Sequence, residues 1–198
     1  MKLKVHRYLK RTEVEGPGIR FCIWVQGCSI KCSNCANIDM WDFNKGIDIH
    51  TKELISLIKK EMANIKGVTF LGGEPFDQSN AVHEVAKECR ELGLDVIVFT
   101  GYTYEEILCS KNLDKIRLLE EIDILIDGPY KNELFDLSRP WVGSSNQRYI
   151  FLTEKLKDIN LKAYKNKLEV TINSKGIIEV NGMGDFSKIK GLLQSFRR

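Results

Sequence analysis

The sequence predicts an α/β protein built on a parallel sheet, open or curled into a partial barrel. Two features carry that reading. Short apolar, β-branched runs alternate along the chain with stretches of helical apolar spacing, the mark of repeated strand–helix units. Runs such as "GVTFL" and "LDVIVFT" are nearly continuously apolar, as strands covered on both faces must be. With 198 residues, the chain suffices for one compact domain with a small appendage.

The elements follow in order. "IRFCIWVQG" sets Ile19, Phe21, Ile23 and Val25 on one face and reads as a strand. "TKELISLIKKEMA" carries Leu54, Ile55, Ile58 and Met62 at helical spacing, and "GVTFL" is the next strand. From Ser79, residues Val82, Val85, Ala86, Cys89 and Leu92 form one helical stripe that Gly93 closes. After the strand "LDVIVFT", Thr103 and Glu106 form a capping box that opens another helix. "IDILID" and "RYIFL" are further strands. Beyond about residue 160, "KLEVTINSKGIIEVNG" predicts two strands around a Ser-Lys-Gly turn, with a helix over "FSKIKGLLQSF". The expected division is residues 1–158 for the sheet domain and 159–198 for a β-β-α extension.

A hydrophobic fraction of 43% with 29% charged residues is that of a globular protein with a sizeable core. The net charge of +3, from lysines spread along the chain, argues against nucleic acid or an acidic membrane surface as partner. No run is long enough for a signal peptide or a membrane span. A cytoplasmic protein is expected, in which thiols stay reduced. The six cysteines are then ligands or core residues before they are disulfides.

Three of the cysteines, Cys28, Cys32 and Cys35, stand together in "CSIKCSNC", just where the strand "RFCIWVQG" ends. In α/β sheets, chemistry collects at the C-terminal ends of strands. A closed zinc site needs four ligands, and a zinc reading needs His6, His50 or His83 to complete it. A four-iron cluster held by three cysteines leaves one iron without a protein ligand, open to a substrate. That is the preferred reading. Cys22, within a strand, and Cys89, on an apolar stripe, read as buried packing residues. Cys109 has no assignment.

"CSIKCSNC" matches the Cys-x3-Cys-x2-Cys motif of the radical S-adenosylmethionine enzymes, and "GGEP", Gly72 to Pro75, stands after the next strand, where that superfamily binds the methionine end of its cofactor. The chain resembles this superfamily over about residues 15–150. "EGPGIRF" is similar to a signature of the activating enzymes of glycyl radical enzymes. "CANIDMWDFNKG", "FTGYTYEEI", "IDILIDGPY" and "GSSNQR" resemble the branch that activates anaerobic ribonucleotide reductase. One position departs from that branch: Ala36 follows Cys35 where a histidine is usual.

The resemblance implies a partial, open parallel β/α barrel of the radical S-adenosylmethionine type. It implies that Cys28, Cys32 and Cys35 hold a [4Fe–4S] cluster whose fourth iron binds S-adenosylmethionine. A reduced cluster would cleave that cofactor, and the resulting radical would take hydrogen from a glycine of a partner protein. Gly72 and Gly73, lacking a Cβ, would let the backbone approach the cofactor, with Glu74 accepting from its ammonium and Pro75 completing the motif. Without the cysteines, "GGEP" reads as a plain strand-to-helix turn. Thr100 and Asp127, at the ends of their strands, resemble positions near the cofactor, although Asp127 before "GPY" also suits a turn. Trp41 suits either a cover over the cluster or plain packing, and packing is the preferred reading. "GSSNQR" suits either a cofactor or partner contact, or a tight hydrogen-bonded loop.

Two enzyme classes follow. The first is an activase for a glycyl radical enzyme, most like the activase of anaerobic ribonucleoside-triphosphate reductase, reduced by a low-potential donor such as a flavodoxin or ferredoxin. "GPGIR" and a barrel mouth left open by the short chain favour it. The second is a small radical enzyme acting on a metabolite, nucleobase or peptide. A non-catalytic metal-binding module would leave "GGEP" and "GPGIR" without a purpose.

Overall fold

The computed structural model describes residues 1–172, 174 and 176–184. Seven strands form one sheet. β1 (Lys2–Thr12), β2 (Arg20–Val25), β3 (Ile47–His50), β4 (Gly67–Gly72), β5 (Asp95–Phe99), β6 (Ile124–Asp127) and β7 (Arg148–Phe151) lie in the order β3-β1-β2-β4-β5-β6-β7. The central β2, β4, β5 and β6 are parallel. Helices α1 (Thr51–Glu61), α2 (Ser79–Glu91), α3 (Tyr104–Cys109) and α4 (Leu113–Glu120) occupy the crossovers between them.

The strands and helices expected from the apolar runs are present, and Gly93 closes α2 at a φ of 80°. The Thr103–Glu106 capping box is formed in both directions. The parallel expectation fails at the sheet's flanks. β1 pairs antiparallel with β2 and with β3, and β7 pairs antiparallel with β6. Parallel pairing needs a long crossover, usually a helix. Between β6 and β7 the chain supplies only a short 3₁₀ turn at Asn132–Leu134, so "RYIFL" returns antiparallel.

Side-chain alternation divides the sheet's two faces. Phe21, Ile23 and Val25 join Val68, Phe70, Val96 and Val98 in the large core with Leu54, Ile58, Val82 and Val85 of α1 and α2. The opposite face is covered by loops: Cys22, Trp24 and Leu71 pack with Met40, and Ile97, Ile124 and Ile126 with Trp141 and Val142. Burial accounts for Cys22 and Cys89 as packing residues, their thiols pushed up by desolvation, Cys89 to about 12. Cys109 is exposed.

"GPGIR" sits at the N-terminal end of the parallel strands, where Arg20 stands beside Gly67, and Gly67 beside Asp95. Arg20 is fully buried. Its guanidinium pairs with Asp95 at 2.5 Å and donates to Thr69 Oγ1 at 2.6 Å and to the carbonyls of Pro17, Val68 and Asp95. A Cβ at Gly16, whose φ is 141°, would lie 2.6 Å from Arg20 Cδ. The segment is a bracket across the strand starts, at the end remote from the cysteines.

β8 (Leu168–Ile172) and β9 (Ile178–Gly182) form a separate antiparallel pair, the two strands expected over "KLEVTINSKGIIEVNG". The pair is tied to the end of β1 and the segment after it by Gly182 N, which donates to buried Glu15 at 2.8 Å, and by Asn181 Nδ2, which donates to Thr12 at 3.0 Å. The helix expected over residues 186–196 lies outside the described residues. Among the described residues, no helix is long and apolar enough to cross a membrane.

Candidate functional site

The cysteine loop springs from the C-terminal end of β2 and closes on itself. Gly27 N donates to Met40 O at 2.8 Å and Cys28 N to Trp41 O at 3.2 Å. Gln26 clasps the return: its Nε2 donates to the carbonyls of Asp39 and Asp42 at 3.0 and 2.9 Å, and its Oε1 faces His6 Nδ1 at 2.9 Å. Lys31 and Asn34 take positive φ, 52° and 57°, so the loop reverses between each pair of cysteines. Cys35 N donates to Cys32 O at 3.2 Å, and Asn37 N points at Cys35 Sγ at 3.4 Å.

The next loop, after β4, zips onto the first. Gly73 N donates to Val25 O and Glu74 N to Gly27 O, both at 2.8 Å. A Cβ on Gly72 would strike the Trp24 backbone, and one on Gly73 the carbonyl of Gly27. The two glycines therefore let neighbouring backbones meet, besides lining the cavity. Asp77 locks the loops from outside, accepting from Ser29 N and Oγ at 2.7 and 2.9 Å and from Tyr102 Oη at 3.1 Å.

Cys28, Cys32 and Cys35 line one cavity with Gly72, Gly73, Glu74 and Thr100; its volume is about 150 Å³. Six of these seven come from the first two strand–loop junctions of the parallel sheet, and Thr100 from the third. Ile30, Asn37, Trp41, Phe99, Tyr130 and Gln147 complete much of the wall. A second pocket of about 540 Å³ shares Ile30, Gly101 and Gly128 with it and reaches Lys131, Asn146 and Arg148.

Glu74 is 1% exposed and accepts from Thr100 Oγ1 and Gly101 N at 2.8 Å and from Phe76 N at 2.9 Å. Desolvation pushes its carboxyl up to about 7, against the lowering effect of those donors. Pro75 does not line the cavity; it opens the 3₁₀ turn Pro75–Gln78, where its missing N–H is harmless. Asp127 also stands behind the wall. It is fully buried, accepting from Tyr104 N at 2.7 Å and from Arg148 Nε and Nη2 at 3.0 and 2.5 Å. Glu105 grips the same guanidinium, and the two carboxylates raise the Arg148 pKa.

"GSSNQR" organises the loop after β6. Asn146 Nδ2 donates to Pro129 O at 2.8 Å, Gln147 Oε1 accepts from Gly143 N at 2.8 Å, and Ser144 Oγ accepts from Lys131 N at 3.2 Å. Sequence reasoning did not find Tyr130, Gln147 or the Gln26 clasp. The only local hint was their position beside strand ends, in "DGPY", "SSNQR" and "VQGC".

The donor set suits an iron–sulfur cluster better than a zinc ion. None of the three histidines lines the cavity: His6 faces Gln26 and Asp39, His83 faces Glu121, and His50 precedes α1. Among the described residues, no three His, Cys, Asp or Glu side chains converge closely enough for one metal ion. A cubane instead takes each thiolate at a separate iron corner, so three cysteines serve three irons without converging on one point. Burial raises the Cys28 and Cys32 thiol pKa values, partly opposed by backbone donors, and a metal binding there displaces the thiol protons. Trp41 Nε1 is a buried donor without a partner among the described residues.

Residues 14–150 match the family described as 4Fe-4S single cluster domain. The anaerobic ribonucleoside-triphosphate reductase-activating protein of Salmonella typhimurium is 31% identical over 155 residues, covering 73% of this chain and 96% of that protein. Its counterpart in Haemophilus influenzae is 33% identical, covering 71% and 93%. That of Enterobacteria phage T4 is 35% identical, covering 68% and 85%. The crystal structure of QueE from Escherichia coli superposes with a TM-score of 0.43 at 16% identity, covering 52% of this chain and 54% of that one.

Proposed function

The chain belongs to the 4Fe-4S single cluster domain family and to the anaerobic ribonucleoside-triphosphate reductase-activating proteins, and from that membership we propose that it installs a glycyl radical on an anaerobic ribonucleoside-triphosphate reductase. When bound, a [4Fe–4S] cluster and S-adenosylmethionine supply the one-electron reductive cleavage from which a glycine-activating radical derives. The chain's own residues hold, orient and shield.

Cys28, Cys32 and Cys35 are the cluster's ligands in this reading, and the missing fourth protein ligand leaves a place for S-adenosylmethionine. The support is their shared cavity with Gly72, Gly73 and Glu74 at the C-terminal ends of parallel strands. Glu74 offers a carboxylate at the cavity wall to the cofactor's ammonium, in a site with little water to compete. Thr100 holds that carboxylate in place. Asp127 is a positioning residue: it fixes Arg148 and the start of α3 behind the second pocket. The cavity beside the cysteines, about 150 Å³, is below the ~300–1,000 Å³ usual for small-molecule sites, and the adjoining pocket of about 540 Å³ supplies the remainder.

The same reading makes residues 1–158 a partial, open barrel and 159–198 a β-β-α extension. The electron comes from a low-potential carrier of the flavodoxin or ferredoxin kind. The test is anaerobic incubation of the reduced, cluster-loaded protein with S-adenosylmethionine and an anaerobic ribonucleoside-triphosphate reductase. The expected result is a glycine-centred radical by electron paramagnetic resonance, with one 5′-deoxyadenosine per radical. Multiple turnover on a free nucleotide or peptide without a protein radical would overturn it.

A further inference from the structure

Trp41 reads as a packing residue from sequence, and its surroundings say more. Its backbone is pinned on the cysteine loop: Trp41 O accepts from Cys28 N at 3.2 Å, and Trp41 N donates to Ile38 O at 3.2 Å. On either side, the Gln26 amide grips the carbonyls of Asp39 and Asp42. The Trp41 backbone is thus fixed relative to the first cysteine by bonds that do not involve its ring. Trp41 lines the cavity shared by Cys28, Cys32 and Cys35, yet its Nε1 is buried with no hydrogen-bond partner among the described residues.

An indole nitrogen only donates, and buried donors in folded proteins are nearly always satisfied. Polar side chains elsewhere in these loops, Gln26, Asp77 and Glu74 among them, have their partners. We infer that Trp41 donates its indole N–H to a sulfur of the cluster, a sulfide or a cysteinate, and so favours the reduced state. This rests on the cluster reading above. Hydrogen bonds to cluster sulfurs help set the reduction potential, because a donor stabilises the added negative charge. Asn37 N, at 3.4 Å from Cys35 Sγ, makes a contact of the same type from the backbone. Trp41 would act as a positioning and tuning residue, not as a ligand.

The test compares the wild type with Trp41→Phe, which keeps an aromatic ring and removes the N–H. Both are loaded with iron and sulfide under anaerobic conditions and assayed for both elements. The expected result is equal cluster content, a lower midpoint potential in Trp41→Phe, and shifted Fe–S stretching bands in resonance Raman spectra. At a fixed potential, the reduced fraction should fall several-fold. Equal potentials and equal Fe–S bands would overturn the inference while leaving the cluster reading intact. If Trp41→Phe does not take up the cluster, wild-type protein carrying 15N-indole tryptophan decides: a 15N or exchangeable-proton coupling to the reduced cluster supports the bond, and none overturns it. Failure of the wild type to bind iron and sulfide would instead remove the cluster reading, and this inference with it.

Discussion

Glu74 and Thr100 join two loops that leave adjacent parallel strands: Thr100 Oγ1 donates to Glu74 Oε1 at 2.8 Å inside the wall of the cysteine cavity. The carboxylate is both a cavity-lining acceptor and the tie between the loops after β4 and β5. Glu74→Ala should keep the cluster and weaken S-adenosylmethionine binding about tenfold to a hundredfold, since a hydrogen bond to a charged group is worth about 1.5–3 kcal/mol. Thr100→Val removes one tie and keeps the carboxylate, so its loss should be smaller. Calorimetric titration of cluster-loaded variants measures both. Unchanged affinity in Glu74→Ala would reduce "GGEP" to a turn.

Replacing Cys28, Cys32 or Cys35 with Ala should abolish cluster loading and S-adenosylmethionine cleavage. Cys22 and Cys89 are buried in packing away from the cavity, and Cys109 is exposed. Their replacement should leave about four iron and four sulfide per chain, with Cys22→Ala and Cys89→Ala costing only stability. Iron and sulfide analysis decides. A fully loaded Cys32→Ala variant would contradict the ligand set.

What could be read from sequence was local. Three cysteines within eight positions, "GGEP" after a strand, and the Thr103–Glu106 box all depend on spacing along the chain, and the structure places each in its expected element. The wall residues Tyr130 and Gln147 arrive from a loop about a hundred positions beyond the cysteines, and no periodicity announces such a meeting. β1 escaped because the alternation of Lys2, Leu3, Lys4 and Val5 is cut short at Arg7, which falls on the apolar face, and its register shifts twice against β2. The direction of β7 depends on a missing crossover helix, which apolar runs do not encode. "GPGIR" was legible as a signature but not as a place: it lies at the far end of the strands from the cysteines.

That placement yields a prediction for Arg20. Its guanidinium is fully buried and bound to Asp95, Thr69 and three carbonyls. Arg20→Ala leaves Asp95 without its buried counter-charge, and breaking such a pair costs about 3–5 kcal/mol. Arg20→Lys should recover only part, because an ammonium lacks the planar fork. Denaturant unfolding measures the loss. A stable Arg20→Ala protein with impaired S-adenosylmethionine binding would instead put "GPGIR" in the chemistry.

Glu15 makes stability depend on pH. Burial pushes its carboxyl from 4.5 up to about 7, partly opposed by Gly182 N and by Arg7. Its folded pKa lies above its unfolded one, so the native state binds the extra proton. The associated stability is fully present below about pH 4.5 and is lost as pH rises through about 7. Glu15→Gln keeps an acceptor for Gly182 N and cannot ionise. It should therefore flatten this part of the pH profile and be more stable than wild type at pH 8, by up to about 3 kcal/mol. Glu74, raised to about 7 as well, leaves a residual slope of the same sign in cluster-free protein. Equal pH profiles for Glu15→Gln and wild type would refute the assignment.

Arg148 separates the cluster from what lies beside it. It is half-exposed at the edge of the second pocket, where its guanidinium neutralises the fully buried Asp127 and reaches Glu105 on α3. It does not line the cysteine cavity. Arg148→Ala removes two of the three donors to Asp127 and leaves only Tyr104 N. The unpaired carboxylate should destabilise the loops that frame the second pocket by about 1–3 kcal/mol. Iron and sulfide content should remain at the wild-type level, because the cysteine loop is held by Gln26 and Asp77 instead. S-adenosylmethionine affinity or radical yield on the partner should fall by about tenfold or more. Adding Asp127→Asn to Arg148→Ala removes the uncompensated charge and should restore thermal stability without restoring the radical yield. Parallel measurement of melting temperature, iron content and glycyl radical distinguishes the two effects. Loss of the cluster in Arg148→Ala, or full radical yield, would show that this guanidinium does not serve the second pocket.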